Sequence, residues 1–235
     1  TVREDENVTD AFPDAWYLIL SSRLVPDLDG GYTISTLARA RQMAEAGVHG
    51  GRGPLLLTVD PASAEAHAEH HTVFVSRGSA VASEVFRNAF DEAPAPGGGA
   101  AEWLRAAARA GTADPTLEYR RVAGGSVDLP VIVGDPDWHL STAPIVIRDA
   151  AGADVGVIDG FGAFYRAWLG RVVGELRAKR DRPVVVICES RQLGELLVEW
   201  DDPAVRILHT VHTIHLEPPY TADAPVNALW TRWLE

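Results

Sequence analysis

The amino-acid sequence predicts an α/β fold, with a Rossmann-like parallel sheet, helices on both faces of that sheet and an inserted antiparallel β subdomain. Apolar runs at residues 16–22 and 54–60 flank a glycine-containing loop and a helical pattern, which is the order of a strand–helix–strand unit. Alternating runs broken by Gly-Gly or Asp-Pro between residues 116 and 160 are typical of antiparallel strands. Helix and strand patterns alternate again from residue 161, so a second parallel part is expected.

The first unit follows from local composition. Residues 16–22 form an apolar run that ends in two serines, which predicts a strand buried on both faces. From Thr33 the apolar positions recur at helical spacing, with Thr33 or Ser35 as the N-cap and Gly47 as the C-terminal stop. Residues 54–60 then predict the second buried strand of the sheet.

The middle of the chain is less regular. Residues 63–90 have a mostly helical pattern with an interruption at 73–78, the Pro- and Gly-rich stretch 93–99 predicts a linker, and the alanine-rich stretch 100–110 predicts an amphipathic helix. Antiparallel strands are expected at 117–122, 127–133, 143–148 and 155–159, with residues 149–153 as a hairpin turn.

The last third predicts a return to parallel α/β structure. A helix is expected at 164–180, a strand at 184–190, a helix at 192–200 and a strand at 205–210. Residues 1–115 are therefore expected to form the first part of a Rossmann-like domain, 116–160 a β-rich insertion and 161–235 the second part. The amphipathic stretch 225–235 has no C-cap, which suggests a piece of a longer protein.

The composition excludes several classes of protein. The 235 residues contain 33 Asp and Glu against 21 Lys and Arg, a net charge of −12, which disfavours nucleic acid and anionic membranes as partners. No apolar run approaches the roughly 20 residues of a membrane-spanning helix. The single cysteine, Cys188, permits no internal disulfide and suits a reducing cytoplasm. The acidic start lacks both Met and a signal core, which suggests a trimmed or processed end.

The loop before the first predicted helix is the first candidate site. Its glycines, Gly30 and Gly31, would let the backbone approach a ligand at the carboxyl end of the first strand, next to Tyr32. The loop has neither the G-x-G-x-x-G pattern nor a Walker A motif, which disfavours dinucleotide and ATP binding. A plain tight turn is the alternative.

Three histidines follow the last predicted strand and form the second candidate. On an extended strand His209 and His215 would share one face and His212 would point to the other, which argues against a metal triad. A neutral imidazole at this position can instead hydrogen-bond a sugar hydroxyl or polarise a leaving group. At the same edge, Glu189 and Arg191 follow another predicted strand and are expected to line the cleft.

Two further groups have simpler alternatives. His67 and His71 lie one helical turn apart and could form a divalent-metal site, but a solvated helical face is favoured and no bound metal is expected. The cluster Tyr119, Arg120 and Arg121 on the β insertion could meet an anionic or polymeric acceptor, although a salt-bridged surface is the commoner outcome.

These motifs resemble the N-terminal half of retaining GT-B glycosyltransferases that use nucleotide sugars. The first strand of that family ends in a Gly-rich loop, as at residues 28–32, and a later strand ends in a histidine, as at 206–210. The pair His209 and His212 matches an H-x-x-H segment, and a Leu-Trp helix follows at 229–230. The chain is most similar to α-glucosyltransferases that modify poly(glycerol phosphate) teichoic acid or serine-rich adhesins, in which a β-rich insertion interrupts the first domain.

The resemblance implies transfer of a hexose, with retention, from a nucleotide sugar to a glycan, teichoic-acid-like or protein acceptor, without a further cofactor. Gly30 and Gly31 would lie under the donor diphosphate or the acceptor, His209 beside the transferred sugar, and His212 at the second motif position. The family holds its nucleotide mainly in a second domain with an E-x7-E segment, so the chain is expected to be inactive alone. With the cytoplasmic location expected from Cys188, the chain is compatible with a homo-oligomer.

Two other functions remain open at this point. One is a non-catalytic module that binds carbohydrate or protein through the β insertion and Tyr119, Arg120 and Arg121. The other, ranked last, is a metal-dependent hydrolase that uses the histidine-rich segments.

Overall fold

The computed structural model describes residues 12–28, 30–212, 216–217, 219, 221–226 and 230–231. It confirms an α/β fold with a parallel sheet, and the antiparallel strands form a second, separate sheet. The strands and helices, in chain order, are β1 Trp16–Ser21, α1 Gly30–Glu45, β2 Leu55–Thr58, α2 Ala64–Ser76, β3 Phe86–Asn88, α3 Glu102–Ala107, β4 Tyr119–Val122, β5 Val127–Pro130, β6 Pro144–Arg148, β7 Asp154–Asp159, α4 Gly160–Lys179, β8 Val184–Cys188, α5 Arg191–Leu197 and β9 Val205–His209.

The parallel sheet has the strand order β3-β2-β1-β8-β9. The first three strands extend the sheet in one direction and the last two extend it in the other, so β1 and β8 flank a topological switch point. Leu20 pairs with both Leu57 and Cys188, and Cys188 pairs in turn with His209, so the carboxyl ends of β1, β2, β8 and β9 are level. Ligands of open α/β sheets bind beside such an edge.

Helices cover both faces of the parallel sheet. Alternate side chains of β1 point to opposite sides, and both sets are apolar, so both faces must be covered. Tyr17 and Ile19 belong to a core that includes Leu37 and Met43 of α1 and Phe74 of α2. Leu18 and Leu20 belong to a larger core on the other face, formed by residues of α3, α4 and α5.

Helix α4 joins the two sheets. Its buried aromatic residues Phe161, Phe164, Tyr165 and Trp168 belong to the same core as Leu18 of the parallel sheet and as Ile145, Ile147 and Ile158 of the antiparallel sheet. The four antiparallel strands lie between residues 116 and 160 in the order β4-β5-β6-β7. One continuous core therefore fixes the position of the antiparallel sheet against the parallel one.

The expected hairpin turn at 149–153 is present. The Asp149 carboxylate accepts hydrogen bonds from the backbone N–H groups of Ala151 and Ala153, both at 2.9 Å, and Gly152 has a φ of 80°. An aspartate that bonds the backbone two residues ahead stabilises a turn of this kind.

Several boundaries differ from the predictions. Helix α1 begins at Gly30, so Thr33 lies buried inside the helix and does not cap it. Helix α2 continues to Ser76 through the interruption expected at 73–78, and residues 86–88, expected in a helix, form strand β3 beside β2. Phe86 is buried against Phe74, a long-range contact that local periodicity does not encode.

The stretch 93–99, expected to be a linker, is a packed turn. Ala93 and Ala100 are buried, Pro94 bridges to Ala100, and a Cβ at Gly99 would lie 2.3 Å from the backbone nitrogen of Ala150. The glycine is therefore required by the close approach of two backbone segments. Within the part of the chain that the structure describes, no helix has the length and apolar character needed to cross a lipid bilayer.

Candidate functional site

A cleft of about 400 Å³ lies at the carboxyl edge of the parallel sheet, beside the switch point between β1 and β8. Residues that follow four of the parallel strands form one side, and a segment of the antiparallel sheet's β5–β6 connection forms the other. We call it the carboxyl-edge cleft. Its lining residues are Ser22, Arg23, Tyr32, Asp60, Pro61, Pro136, Trp138, His139, Glu189, Ser190, Arg191, Gln192, Thr210, His212 and Trp230.

A buried carboxylate and a histidine form the centre of the cleft. Glu189 follows β8, is only 2% exposed, and accepts a hydrogen bond from Nε2 of His212. Its second carboxylate oxygen lies 3.4 Å from Nη1 of Arg39, and that nitrogen donates a 3.0 Å hydrogen bond to the Thr210 hydroxyl. A buried carboxylate requires such compensation, so α1, β8 and the segment after β9 are tied together at this point.

Tyr32 lies on the first turn of α1 and packs beside His212. The two rings meet edge to face with their centroids 5.5 Å apart, and the Tyr32 hydroxyl accepts a hydrogen bond from the Ser22 backbone at 3.3 Å. Burial raises the pKa of Tyr32 to about 12, so the phenol is neutral at physiological pH. It can therefore act only as a neutral hydrogen-bonding group or as an aromatic wall.

Arg191 connects the parallel sheet to the insertion. Its guanidinium donates to the Asp137 carboxylate at 2.5 Å, and Gln192 donates to the same carboxylate and to the Pro136 carbonyl, both at 2.7 Å. These bonds hold the segment that carries Trp138 against the cleft. Arg191 thus lines the cleft, and Asp137 already compensates its charge.

Asp60 lies just after β2, and its ionic partner is His67, which does not line the cleft. Nε2 of His67 is 3.9 Å from the Asp60 carboxylate, and Nδ1 of His67 donates to Asp91 at 2.8 Å. Burial opposes the charge of His67, but hydrogen bonds and charges from the two carboxylates outweigh it and raise the pKa of His67 to about 9. His67 is therefore a buried cation between two carboxylates.

The two glycines of the predicted ligand loop do not line the carboxyl-edge cleft. Gly30 and Gly31 form the first turn of α1, and Gly30 faces a different cavity of about 310 Å³ between α1 and α2, together with Phe74. Of the three residues predicted around this loop, Tyr32 alone reaches the cleft. The helix begins earlier than its first apolar position, which moves the glycines away from the sheet edge.

His209 lies behind the cleft and does not line it. Its ring packs edge to face on Trp230, with centroids 4.6 Å apart, and lies so close to Gly194 that a Cβ there would be 2.0 Å from Nε2. Burial lowers the pKa of His209. His212, three residues further along, is the motif histidine that lines the cleft, and His215 lies outside the described residues.

The cluster on β4 is divided between structural and exposed roles. Tyr119 accepts a 3.0 Å hydrogen bond from the Asp114 backbone, and Arg121 is paired with Asp128 at 2.8 Å, as in the salt-bridged alternative. Arg120 lines two shallow cavities, of about 550 and 260 Å³, that share Pro61 with the cleft.

The preference for a solvated face at His67 and His71 is wrong for His67, which is 4% exposed. His71 stacks on Phe86 with ring centroids 4.2 Å apart, and burial lowers its pKa to about 4. Among the residues that the structure describes, no group of three or more His, Cys, Asp or Glu side chains is arranged to hold a metal ion.

Sequence reasoning missed several residues of the cleft. Asp60 ends a predicted strand just as Glu189 does, so the same rule for strand ends could have found it. Arg39, Asp137 and Trp138 reach the site only through long-range packing, and no local pattern marks them.

Comparisons of the chain with protein-family models, with curated proteins and with solved structures found no match.

Proposed function

We propose that this chain is the acceptor-side domain of a retaining, nucleotide-sugar-dependent glycosyltransferase, and that the carboxyl-edge cleft receives the sugar-bearing substrates. The observation that carries the proposal is the hydrogen bond between the buried Glu189 and the solvent-accessible His212, combined with aromatic walls at the switch point of a parallel sheet. The motif resemblance at His209 and His212 supports the same reaction class.

The chemistry of the lining suits a polyhydroxylated ligand. A sugar presents hydroxyl groups at its edges and patches of C–H groups on its faces. Trp138 and Tyr32 offer aromatic surface to those patches, while Asp60 and the Glu189–His212 pair offer hydrogen-bonding groups to the hydroxyls.

His212 is the residue that we propose contacts the transferred sugar or the acceptor hydroxyl. Because its Nε2 donates to Glu189, the imidazole is held in one orientation, and Nδ1 is the ring atom left to interact with a ligand. Glu189 has a positioning role, since it is buried and is itself held by Arg39. His209 supports this segment from below by packing on Trp230.

In the proposed reaction the bond between the anomeric carbon and the diphosphate oxygen breaks, and a bond to the acceptor oxygen forms on the same face. The acceptor proton leaves with the diphosphate. This chain's residues orient the sugar and exclude water, while Arg23 places positive charge, and His212 a hydrogen-bonding group, on the side where negative charge develops.

The test uses the full product of the gene that encodes the chain, with UDP-glucose and other nucleotide hexoses as donors and a poly(glycerol phosphate) or glycan acceptor. We expect hexose transfer with retained anomeric configuration, read by NMR of the product. His212→Ala should lower kcat/KM by about 100-fold, as for loss of one well-placed polar catalytic group. Glu189→Gln should have a smaller effect, mainly on kcat.

Glu69→Gln is the matched control, because Glu69 is an exposed carboxylate on α2 outside the cleft. It should leave both transfer and hydrolysis unchanged. Absence of transfer and of donor hydrolysis with every nucleotide sugar would overturn the proposal. If acceptor glycans still bound to the cleft in that case, the domain would be a binding module.

A further inference from the structure

A separate cavity lies at the opposite end of the parallel sheet and plays no part in the proposed transfer reaction. It has a volume of about 1080 Å³ and is bounded by the start of β1, the glycine-rich loop 47–53, residues 81–85 and the end of α4. We call it the amino-end cavity. Its volume is large enough for a small molecule or cofactor, whose pockets typically measure about 300 to 1000 Å³.

The lining of this cavity is cationic in a chain that is acidic overall. Five basic side chains line it against two acidic ones, Asp14 and Glu84, whereas the whole chain has a net charge of −12. The basic lining residues are Arg52, Arg87, Lys179, Arg180 and Arg182. Such a local excess of positive charge creates a potential that attracts anions.

Two of these cations have no counter-ion among the described residues. Arg52 extends from the glycine-rich loop and Lys179 from the last turn of α4, both are exposed, and neither forms an ion pair with the described part of the chain. By contrast, Arg87 is paired with Glu92 and Glu175, so its charge is already compensated. Arg52 and Lys179 are therefore the cations that an anion can engage at the lowest cost.

Arg182, another basic residue of the lining, is held in place by Trp16 and Asp14. Its guanidinium lies over the Trp16 ring, 4.1 Å from the centroid, and is paired with Asp14, which also binds Arg180 at 2.9 Å. Its Nε is buried and has no acceptor among the described residues. A buried donor without a partner is costly, and an oxygen atom of a bound anion could satisfy it.

The back wall of the cavity is rigid as well. His49 has a φ of 49°, in the left-handed region that β-carbon-bearing residues rarely adopt, and its ring accepts a hydrogen bond from the Tyr17 backbone and donates one to the Gly53 carbonyl. Both ring nitrogens are engaged, so His49 shapes the wall and does not contribute charge.

We propose that the amino-end cavity binds a phosphate-bearing small molecule, with Arg52 and Lys179 as its principal ligands. Phosphate oxygens accept several charge-assisted hydrogen bonds at once, which matches separate cations placed around one concave surface. The inference does not depend on the proposed function, because the cavity is at the opposite edge of the sheet from the carboxyl-edge cleft.

The experiment is calorimetric titration of the chain with inorganic pyrophosphate and, separately, with ADP at moderate ionic strength. We expect both to bind, with sulfate much weaker, and ADP tighter than pyrophosphate if the natural ligand is a nucleotide rather than a polyphosphate. Arg52→Ala and Lys179→Ala should each weaken pyrophosphate binding by about tenfold, the value of one charge-assisted contact. Asp14→Asn should tighten it, since it frees Arg180 and Arg182.

Two controls make the test specific. Arg105→Ala removes an exposed charge from α3 outside the cavity, and His212→Ala alters the carboxyl-edge cleft; neither should change pyrophosphate affinity. Absence of pyrophosphate binding would overturn the proposal. It would also be overturned if Arg105→Ala weakened binding as much as Arg52→Ala, or if His212→Ala abolished it. Because Arg52 and Lys179 are exposed and form no ion pair with the described residues, their variants should unfold at the parent temperature.

Discussion

The buried cation at His67 makes a quantitative prediction about stability and pH. His67 is 4% exposed, lies between Asp60 and Asp91, and has its pKa raised from 6.5 to about 9. At about 1.4 kcal/mol for each pKa unit, this difference corresponds to about 3 kcal/mol of stability. Because the folded-state pKa is the higher one, the contribution is fully present below pH 6.5 and is lost as the pH rises through about 9.

Asp91→Asn is the perturbation that tests this reasoning. It removes the partner at 2.8 Å and leaves Asp60 at 3.9 Å, so the pKa of His67 should fall towards its ordinary value. The loss of unfolding free energy between pH 6 and pH 10 should then shrink by at least about half of the 3 kcal/mol. Urea denaturation at a series of pH values measures the loss, and NMR titration of the His67 ring measures the pKa directly.

Asp201→Asn is the control, since Asp201 is an exposed aspartate with no ion pair to the described residues. It should make the net charge less negative by the same amount as Asp91→Asn and keep the parent pH dependence. The reasoning fails if His67 titrates near 6.5 in the parent protein, or if Asp91→Asn retains the full loss of stability at high pH.

Three further predictions concern packing, reactivity and acid stability. Gly194→Ala should lower the free energy of unfolding, measured by urea denaturation, by about 1 to 3 kcal/mol, because the new Cβ would lie 2.0 Å from the His209 ring. Gly170→Ala, on an open helical surface, should raise it by about 0.5 to 1 kcal/mol. Equal effects of the two substitutions would contradict the crowding at Gly194. Cys188 is buried with its pKa raised to about 12, so a thiol reagent should modify it only at the rate of unfolding, and rapid native labelling would disprove this. Burial lowers the pKa of His49, so its contribution to stability should be present above pH 6.5 and lost as the pH falls through its native pKa. In His49→Gln the urea concentration at the unfolding midpoint should therefore fall less between pH 7 and pH 5 than in the parent protein. An unchanged fall would refute the assignment.

The succession of most strands along the chain could be predicted, because each of these strands depends on a short-range sequence pattern. The apolar runs at β1, β2 and β8 are long enough to be buried on both faces, and a parallel sheet is the structure that buries them. Strand β3 could not be predicted in the same way. It has three residues, and Phe86 owes its place to Phe74 on α2.

The candidate site was predictable only where a residue ends a strand. Glu189, Arg191 and His212 are reached by that rule, and the structure gathers them with Tyr32 in one cleft. The rule failed for Gly30 and Gly31, because the start of α1 decides whether they face the sheet edge or the groove beside α2. It also failed for His209, whose side chain turns to pack on Trp230.

The amino-acid sequence by itself determined the fold class, the two kinds of sheet and the strand ends at which ligands are expected. Those features follow from hydrophobic periodicity and from turn residues, which act over a few positions of the chain. Only the tertiary structure decided which polar groups meet. The contact of Arg39 with Glu189 and the contact of Arg191 with Asp137 join segments far apart in sequence, and they depend on how α1 and the insertion pack around a shared core.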